Sequence, residues 1–147
     1  MNHLKTLFDW PPVWLLAGLV LVWGSDRVVT LQNFSRLGAA LVLAGLALMG
    51  WAAAQMVLAR TTVNPRGRPA ALVTGGVFAI SRNPIYLGDA LVLLGATVWL
   101  GAPLGLVILA GFVAVITRRF IRPEEARLQA AFGADFTLWA SRVRRWL

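Results

Sequence analysis

The sequence predicts an all-α integral membrane helical bundle of about four transmembrane helices with a cytoplasmic or interfacial helical tail, and three observations predict it. Of 147 residues, 59% are hydrophobic and only 14% charged, with mean hydropathy +0.72, too apolar for a soluble domain of this length. Apolar runs recur near spanning length, separated by polar or Gly/Pro-containing breaks. The formal net charge of +8 gathers in some of those breaks and avoids others.

The first run, Val13 to Trp23, reaches spanning length only with Phe8, Asp9 and Trp10 below the Pro11-Pro12 pair, which predicts a span at 8–24. It follows Lys5 as a signal peptide would, but no small-x-small cleavage site follows and further apolar runs do, so it reads as a retained span. A second span is predicted at 37–59, without charge, where Ala40/Ala44 and Gly50/Ala54 offer close helix contact. From Ile85 to Thr117 the chain is apolar except for Asp89. As one helix that stretch would be about 50 Å long against a hydrocarbon core of about 30 Å. It must fold back at Gly101-Ala102-Pro103, giving spans at 84–100 and 103–121, with Arg118 and Arg119 snorkelling. The tail reads as helices at 123–132 and 135–146 separated by Gly133. Its stripe of Phe136, Trp139, Val143 and Trp146 fits a helix in the membrane interface or one packed on the bundle. Residues 1–147 read as a single membrane domain.

Arg60, Arg66, Arg68 and Arg82 fall in one connection, and Arg118, Arg119, Arg122, Arg127, Arg142, Arg144 and Arg145 in the tail. The Gly101 hairpin has no charge and the Asp26 to Arg36 loop nets one positive. With four spans, this asymmetry puts both termini and the polar motifs on the cytoplasmic side of a bacterial inner membrane or its equivalent. Basic charge on such a chain points to anionic lipid headgroups, and nothing in it resembles a module that reads nucleic acid. There is no cysteine, which excludes disulfides and thiolate zinc sites, and the lone histidine, His3 at the extreme N-terminus, argues against a histidine-based triad; no metal site is expected.

Two polar stretches abut the apolar runs: Thr74 to Gly88, and Arg122 to Leu128 with the tail beyond it. Asn83-Pro84 is a helix start, with asparagine as cap and proline at the first helical position. The free amides there, beside Arg82, suit a carboxylate or phosphate. Pro123 opens a helix whose first turn holds Glu124 and Glu125. Acids there favour the helix dipole on their own account, and beside Arg118, Arg119 and Arg122 one acid can face a cationic ligand while the other pairs internally. Tyr86, one turn from Asn83, either belongs to an interfacial belt or faces whatever that helix end binds. Asp89, in the first two turns of the third span, is there as an ion-pair partner or for function.

The ordered set Thr74-Gly75-Gly76-Val77-Phe78, Arg82-x-Pro84-x-Tyr86-x-Gly88, Glu124-Glu125-x-x-Leu128, Phe132-Gly133-x-x-Phe136-x-x-Trp139 and Arg145 resembles the isoprenylcysteine carboxyl methyltransferases and the related phospholipid methyltransferases. It covers roughly Ala70 to Leu147. The resemblance implies an all-helical membrane enzyme, S-adenosylmethionine as methyl donor bound on the cytoplasmic side, and a lipophilic acceptor entering from the bilayer. By position it implies a donor pocket of Ala70, Ala71, Leu72, Val73, Phe78, Arg82, Asn83, Pro84, Ile85 and Tyr86 with an acid at Glu124 or Glu125, and an acceptor-binding arginine at Arg119 or Arg122. Asn83 stands where many members have histidine, and Phe136 and Trp139 where tyrosines are usual.

The donor's sulfonium, amino group, carboxylate and adenine match acids, a helix start with Arg82, and aromatic surfaces in turn. A carboxylate acceptor needs no general base, only a cation such as Arg119 or Arg122. An amine acceptor needs an acid to take a proton, and Glu124, Glu125 or Asp89 would serve. The arginine surplus favours a carboxylate. The alternative from another class is a non-catalytic adaptor that binds anionic lipid through its arginine-rich tail.

Overall fold

The computed structural model describes residues 10–64, 67 and 69–147. His3, Lys5, Arg66, Arg68 and the start of the first expected span lie outside them. The order is α1 (Pro11–Ser25), α2 (Ser35–Leu58), a 3-10 turn (Gly76–Ala79), α3 (Pro84–Leu100), α4 (Gly105–Ile116), a π turn (Thr117–Ile121) and α5 (Arg122–Arg142). The fold is all-helical, with no strand among the described residues. Only α2, 24 residues with mean hydropathy 2.0, is both long and apolar enough to cross a membrane alone. The apolar α1 and α3, 15 and 17 residues, are shorter, so by length and composition one of the four expected spans meets the requirement for crossing a membrane.

Proline starts α1 and α3, where a missing N–H costs no hydrogen bond. α3 stops at Gly101, whose φ of +62° is left-handed. Its carbonyl accepts from the Leu31 amide at 2.8 Å, and a Cβ added there would lie 2.4 Å from the Leu31 oxygen. The expected reversal therefore occurs at Gly101. α4 begins at Gly105 rather than 103, because the amides of Gly105 and Leu106 first bond the carbonyls of Ala102 and Pro103 in turns.

α2 and α3 pack antiparallel and closer than most helix pairs. The buried residues of α2 are Gly38, Gly45 and Ala52, spaced by seven. A Cβ on Gly45 would lie 2.6 Å from the Gly88 carbonyl oxygen, and one on Gly88 2.7 Å from that of Gly45. The small pairs expected to make this contact do not make it: Ala40, Ala44, Gly50 and Ala54 are exposed. A small residue every four positions is common along α2, and only the seven-residue set stays on the face that α3 covers.

On its other side α3 packs with α1 and α4 through Val22, Leu93, Phe112 and Ile116, and this core runs on to Phe120 and Ile121. From Gly105 the backbone stays helical past Pro123. That proline cannot donate, and its ring would crowd the preceding turn of an α-helix; the π turn before it, where the Arg122 amide bonds the Thr117 carbonyl, accommodates it. The tail helix breaks at Gly133, with φ 50° and ψ −117°. Beyond the break, Phe136, Trp139 and Val143 pack on Ala52, Val77 and Phe78, so the stripe faces the bundle. The helix ends at Arg142, short of 146, because Val143 turns extended and the next residues bond the segment before α3. The Arg82 amide donates to the Arg144 carbonyl at 3.0 Å.

Candidate functional site

The site forms at the end of the bundle where α1 and α3 begin and α2 and the π turn end. The Gly76 turn is anchored by Gln55, whose side-chain oxygen accepts from the Val77 amide at 3.1 Å. Gly76 has φ +57°, and a Cβ there would collide with the Gln55 amide. The turn leads into Ser81-Arg82-Asn83, which the C-terminal segment pins from above. Asn83 Nδ2 donates to the Arg145 carbonyl at 2.9 Å, and the Asn83 amide donates to Ser81 Oγ at 3.1 Å. Asn83 holds the cap position of α3, yet its side chain caps nothing there. The expected asparagine cap is replaced by this long-range bond to the tail.

The twin acids take different partners. Glu125 accepts both Arg145 Nε at 3.0 Å and Arg145 Nη2 at 2.6 Å, and Arg82 Nη1 lies 3.3 Å from it. These bonds hold the Arg145 guanidinium proton more tightly than usual. Glu124 instead points at the start of α3, where the Tyr86 hydroxyl donates to its Oε2 at 3.5 Å. Burial pushes the Glu124 carboxyl up to about 7, with the Glu125 charge adding to the rise and the Arg127 charge and Tyr86 bond opposing it.

Two adjoining cavities meet at these groups. A small cleft of about 50 Å³ is lined by Ala71, Leu72, Val73, Phe78, Arg82 and Glu124, with Arg127 and Trp139. A larger one of about 600 Å³ is lined by Phe78, Arg82, Asn83, Pro84, Ile85, Tyr86 and Glu124, with Trp10, Met49 and Asp89. Phe78, Arg82 and Glu124 belong to both walls. The Nε of Arg82 is buried with no hydrogen-bond partner among the described residues, so one strong donor is left for a bound group.

Most of the site residues expected from sequence thus surround these cavities. Ala70 lies outside both walls, exposed, its amide donating to Thr61 Oγ1 at 3.1 Å. Glu125 is withdrawn into its arginine pairs. Arg119 and Arg122 are exposed and line neither cavity; Arg119 lies over the Trp14 ring, 5.8 Å from its centre. Sequence reasoning missed the walls that Trp10 to Pro12, Met49, Met56, Thr61 to Asn64 and Arg127 supply. The two methionines carry no signal inside an apolar run, whereas Trp10 beside Pro11-Pro12 read only as the edge of a span. Among the described residues, no cluster suits a metal ion.

A family model described as phospholipid methyltransferase matches residues 31–135, which contain the α2–α3 pair, Arg82, Tyr86, Asp89 and both glutamates. An uncharacterized protein of Haemophilus influenzae is 38% identical over 63 residues, 43% of this chain and the whole of that protein. No solved structure matches. With its motifs gathered at one end of a helical bundle and more than half of its length matched, the chain belongs to the phospholipid methyltransferase family, a membrane-associated family of methyltransferases.

Proposed function

We propose that the protein is an S-adenosylmethionine-dependent methyltransferase acting on a lipophilic, membrane-resident acceptor. The observation that carries this reading is that Glu124 and Arg82 stand in the common wall of a small cleft and a large, mainly apolar cavity. Such a junction suits a reaction between a polar donor and a greasy acceptor.

The residues present fit the donor. Glu124 suits its positive charge, the unpartnered Nε of Arg82 suits its carboxylate, and Phe78 and Trp139 offer ring surfaces for its adenine. The small cleft alone is too tight for a nucleoside, so the room comes from both cavities together. When bound, the donor supplies an electrophilic methyl group on a sulfonium. The chain's part is to orient the two reactants and exclude water, which supplies much of the acceleration of a displacement. Tyr86 fixes the Glu124 carboxyl, and the Glu125–Arg145 pair holds the Arg82–Asn83 turn beneath it.

We further propose that α1, α2, α3 and α4 with its π turn are the four spans. At 1.5 Å per residue α3 is about 26 Å long against a hydrocarbon core of about 30 Å, a modest mismatch that local thinning of the bilayer relieves. The end carrying Arg82 and Glu124 then faces the cytoplasm. The test is incubation of the purified protein in native lipid with methyl-deuterated S-adenosylmethionine, followed by mass spectrometry of the lipid extract. A deuterated methyl increment on an extracted molecule is expected; its absence, with no donor binding, would contradict the proposal.

A further inference from the structure

Glu124 and Arg127 are three residues apart in the first turns of α5, which puts them on one face of that helix. Both side chains line the small cleft. Glu124 also stands in the wall of the larger cavity, whose lining does not include Arg127, so the arginine backs the carboxylate from the cleft side. On an open helix face such a pair is ordinary stabilisation. Here it sits at the seam of two cavities, where a neutral Glu124 would offer a sulfonium a dipole in place of a charge.

The surroundings of Glu124 work against its charge. Burial raises its carboxyl to about 7, and the neighbouring Glu125 adds to the rise. The charged and titratable groups around it are Tyr86 and Asp89 from α3, Arg82 from the turn before α3, and Glu125 and Arg127 from α5. The other described residues of the two walls carry no charge. Of the two cations, Arg82 is drawn to Glu125 at 3.3 Å. The Arg127 charge is the larger of the two influences that oppose the rise, the Tyr86 bond being the other.

We propose that Arg127 is a positioning residue for the methyl donor: from the cleft wall it holds the Glu124 carboxylate in the charged form that receives the sulfonium. The proposal deepens the methyltransferase reading and rests on it, with Glu124 serving the donor alone. Arg127 acts through Glu124 and needs no contact with the donor. Its removal therefore leaves a site that still binds the donor once the solution is alkaline enough to ionise Glu124 unaided. A residue that touches the donor, or one that only supports the fold, would weaken binding at every pH.

The chain has two glutamates, Glu124 and Glu125, so glutamate labelled with carbon-13 at the side-chain carboxyl gives two resonances, and Glu124→Gln assigns them. Wild type, Arg127→Gln and Arg127→Lys, each the full chain in nanodiscs, are titrated from pH 5 to pH 9 without donor by NMR. S-adenosylmethionine is then titrated into each by calorimetry at pH 7 and at pH 8.5. In Arg127→Gln the Glu124 midpoint is expected to rise by about one pH unit, the scale of one close charge. Donor affinity is expected to fall about fivefold at pH 7 and less than about twofold at pH 8.5, following the ionised fraction that such a midpoint leaves. Arg127→Lys keeps the charge and is expected to keep most of both. A midpoint unmoved in Arg127→Gln, or a loss of affinity equal at the two pH values, would overturn the proposal. So would a midpoint raised by a full unit in Arg127→Lys, which decides the matter if Arg127→Gln does not fold. A raised midpoint in Arg127→Gln, with a wild type that binds no donor, would establish the coupling of the two side chains and sink the methyltransferase reading instead.

Discussion

Glu125 and Arg145, twenty residues apart in sequence, form a two-point ion pair whose shorter arm is 2.6 Å, and Arg82 closes on the same carboxylate at 3.3 Å. This pair ties the end of the tail to the turn that starts α3, and it separates the duties of two adjacent acids. Glu125 holds the fold of the site, and Glu124 faces its cavities.

Glu125→Ala therefore acts first on stability. It leaves two guanidiniums facing each other, one of them well buried, with no anion between them. The expected loss is roughly 1–3 kcal/mol, below that for breaking a fully buried pair because the Arg145 side chain is 35% exposed. Thermal unfolding in detergent measures it. Arg145→Lys, which keeps the charge and loses the fork, is expected to lose less.

The contact between α2 and α3 gives a paired prediction. Gly45→Leu forces a side chain against the Gly88 carbonyl and Val92 and is expected to cost about 1–3 kcal/mol by driving the helices apart. Gly50→Ala, five residues away with open space at its Cβ, is expected to be neutral or slightly stabilising through helix propensity. Equal effects in the two variants would contradict the close approach.

If Glu124 meets the donor as proposed, donor binding depends on pH. With its carboxyl raised to about 7, the group is mostly neutral at pH 6 and mostly ionised at pH 8, so affinity for a cationic donor should rise across that interval. Glu124→Gln should flatten the rise. Stability runs the other way. The folded protein holds this proton more tightly than the unfolded chain, whose carboxyl titrates near 4.5, so the group's contribution is full below about 4.5 and is lost as pH rises to about 7. Denaturant unfolding of wild type and Glu124→Gln at pH 5 and pH 8 checks the sign.

Arg119→Ala and Arg122→Ala test the geometry of the acceptor site from outside. Both side chains lie off the cavity walls, so acceptor KM should change by less than about twofold at constant ionic strength, within what remote surface charge produces. A tenfold increase in either variant, measured by initial rates, would return an arginine to the acceptor site.

These predictions mark what the sequence made legible. Helix order, the reversal at Gly101 and the break at Gly133 were readable because proline and glycine act locally on the backbone. The part of the cavity lining between Ala71 and Glu124 was readable through motif positions, whereas the walls given by Met49, Met56 and the Thr61 to Asn64 stretch were not. The choice between Glu124 and Glu125 was not, because it depends on Arg145 reaching back to the start of α3, a contact with no local signature. The same bond drew the Asn83 side chain away from the cap that its position implied. The arginine surplus suggested a cation for the acceptor, yet charge composition carries no direction, and Arg119 and Arg122 stand outside while Asp89 stands in the wall. The Gly38, Gly45, Ala52 face of α2 was hidden among equally small residues until α3 selected it.

The central claim is that Glu124, and not its neighbour, meets the donor. Calorimetric titration of S-adenosylmethionine at pH 8 into the wild type, Glu124→Gln and Glu125→Gln, each held below its own unfolding temperature, tests it most directly. Saturable wild-type binding, weakened at least tenfold by Glu124→Gln and by less in Glu125→Gln, is the expected result. Wild-type affinity retained in Glu124→Gln would contradict it.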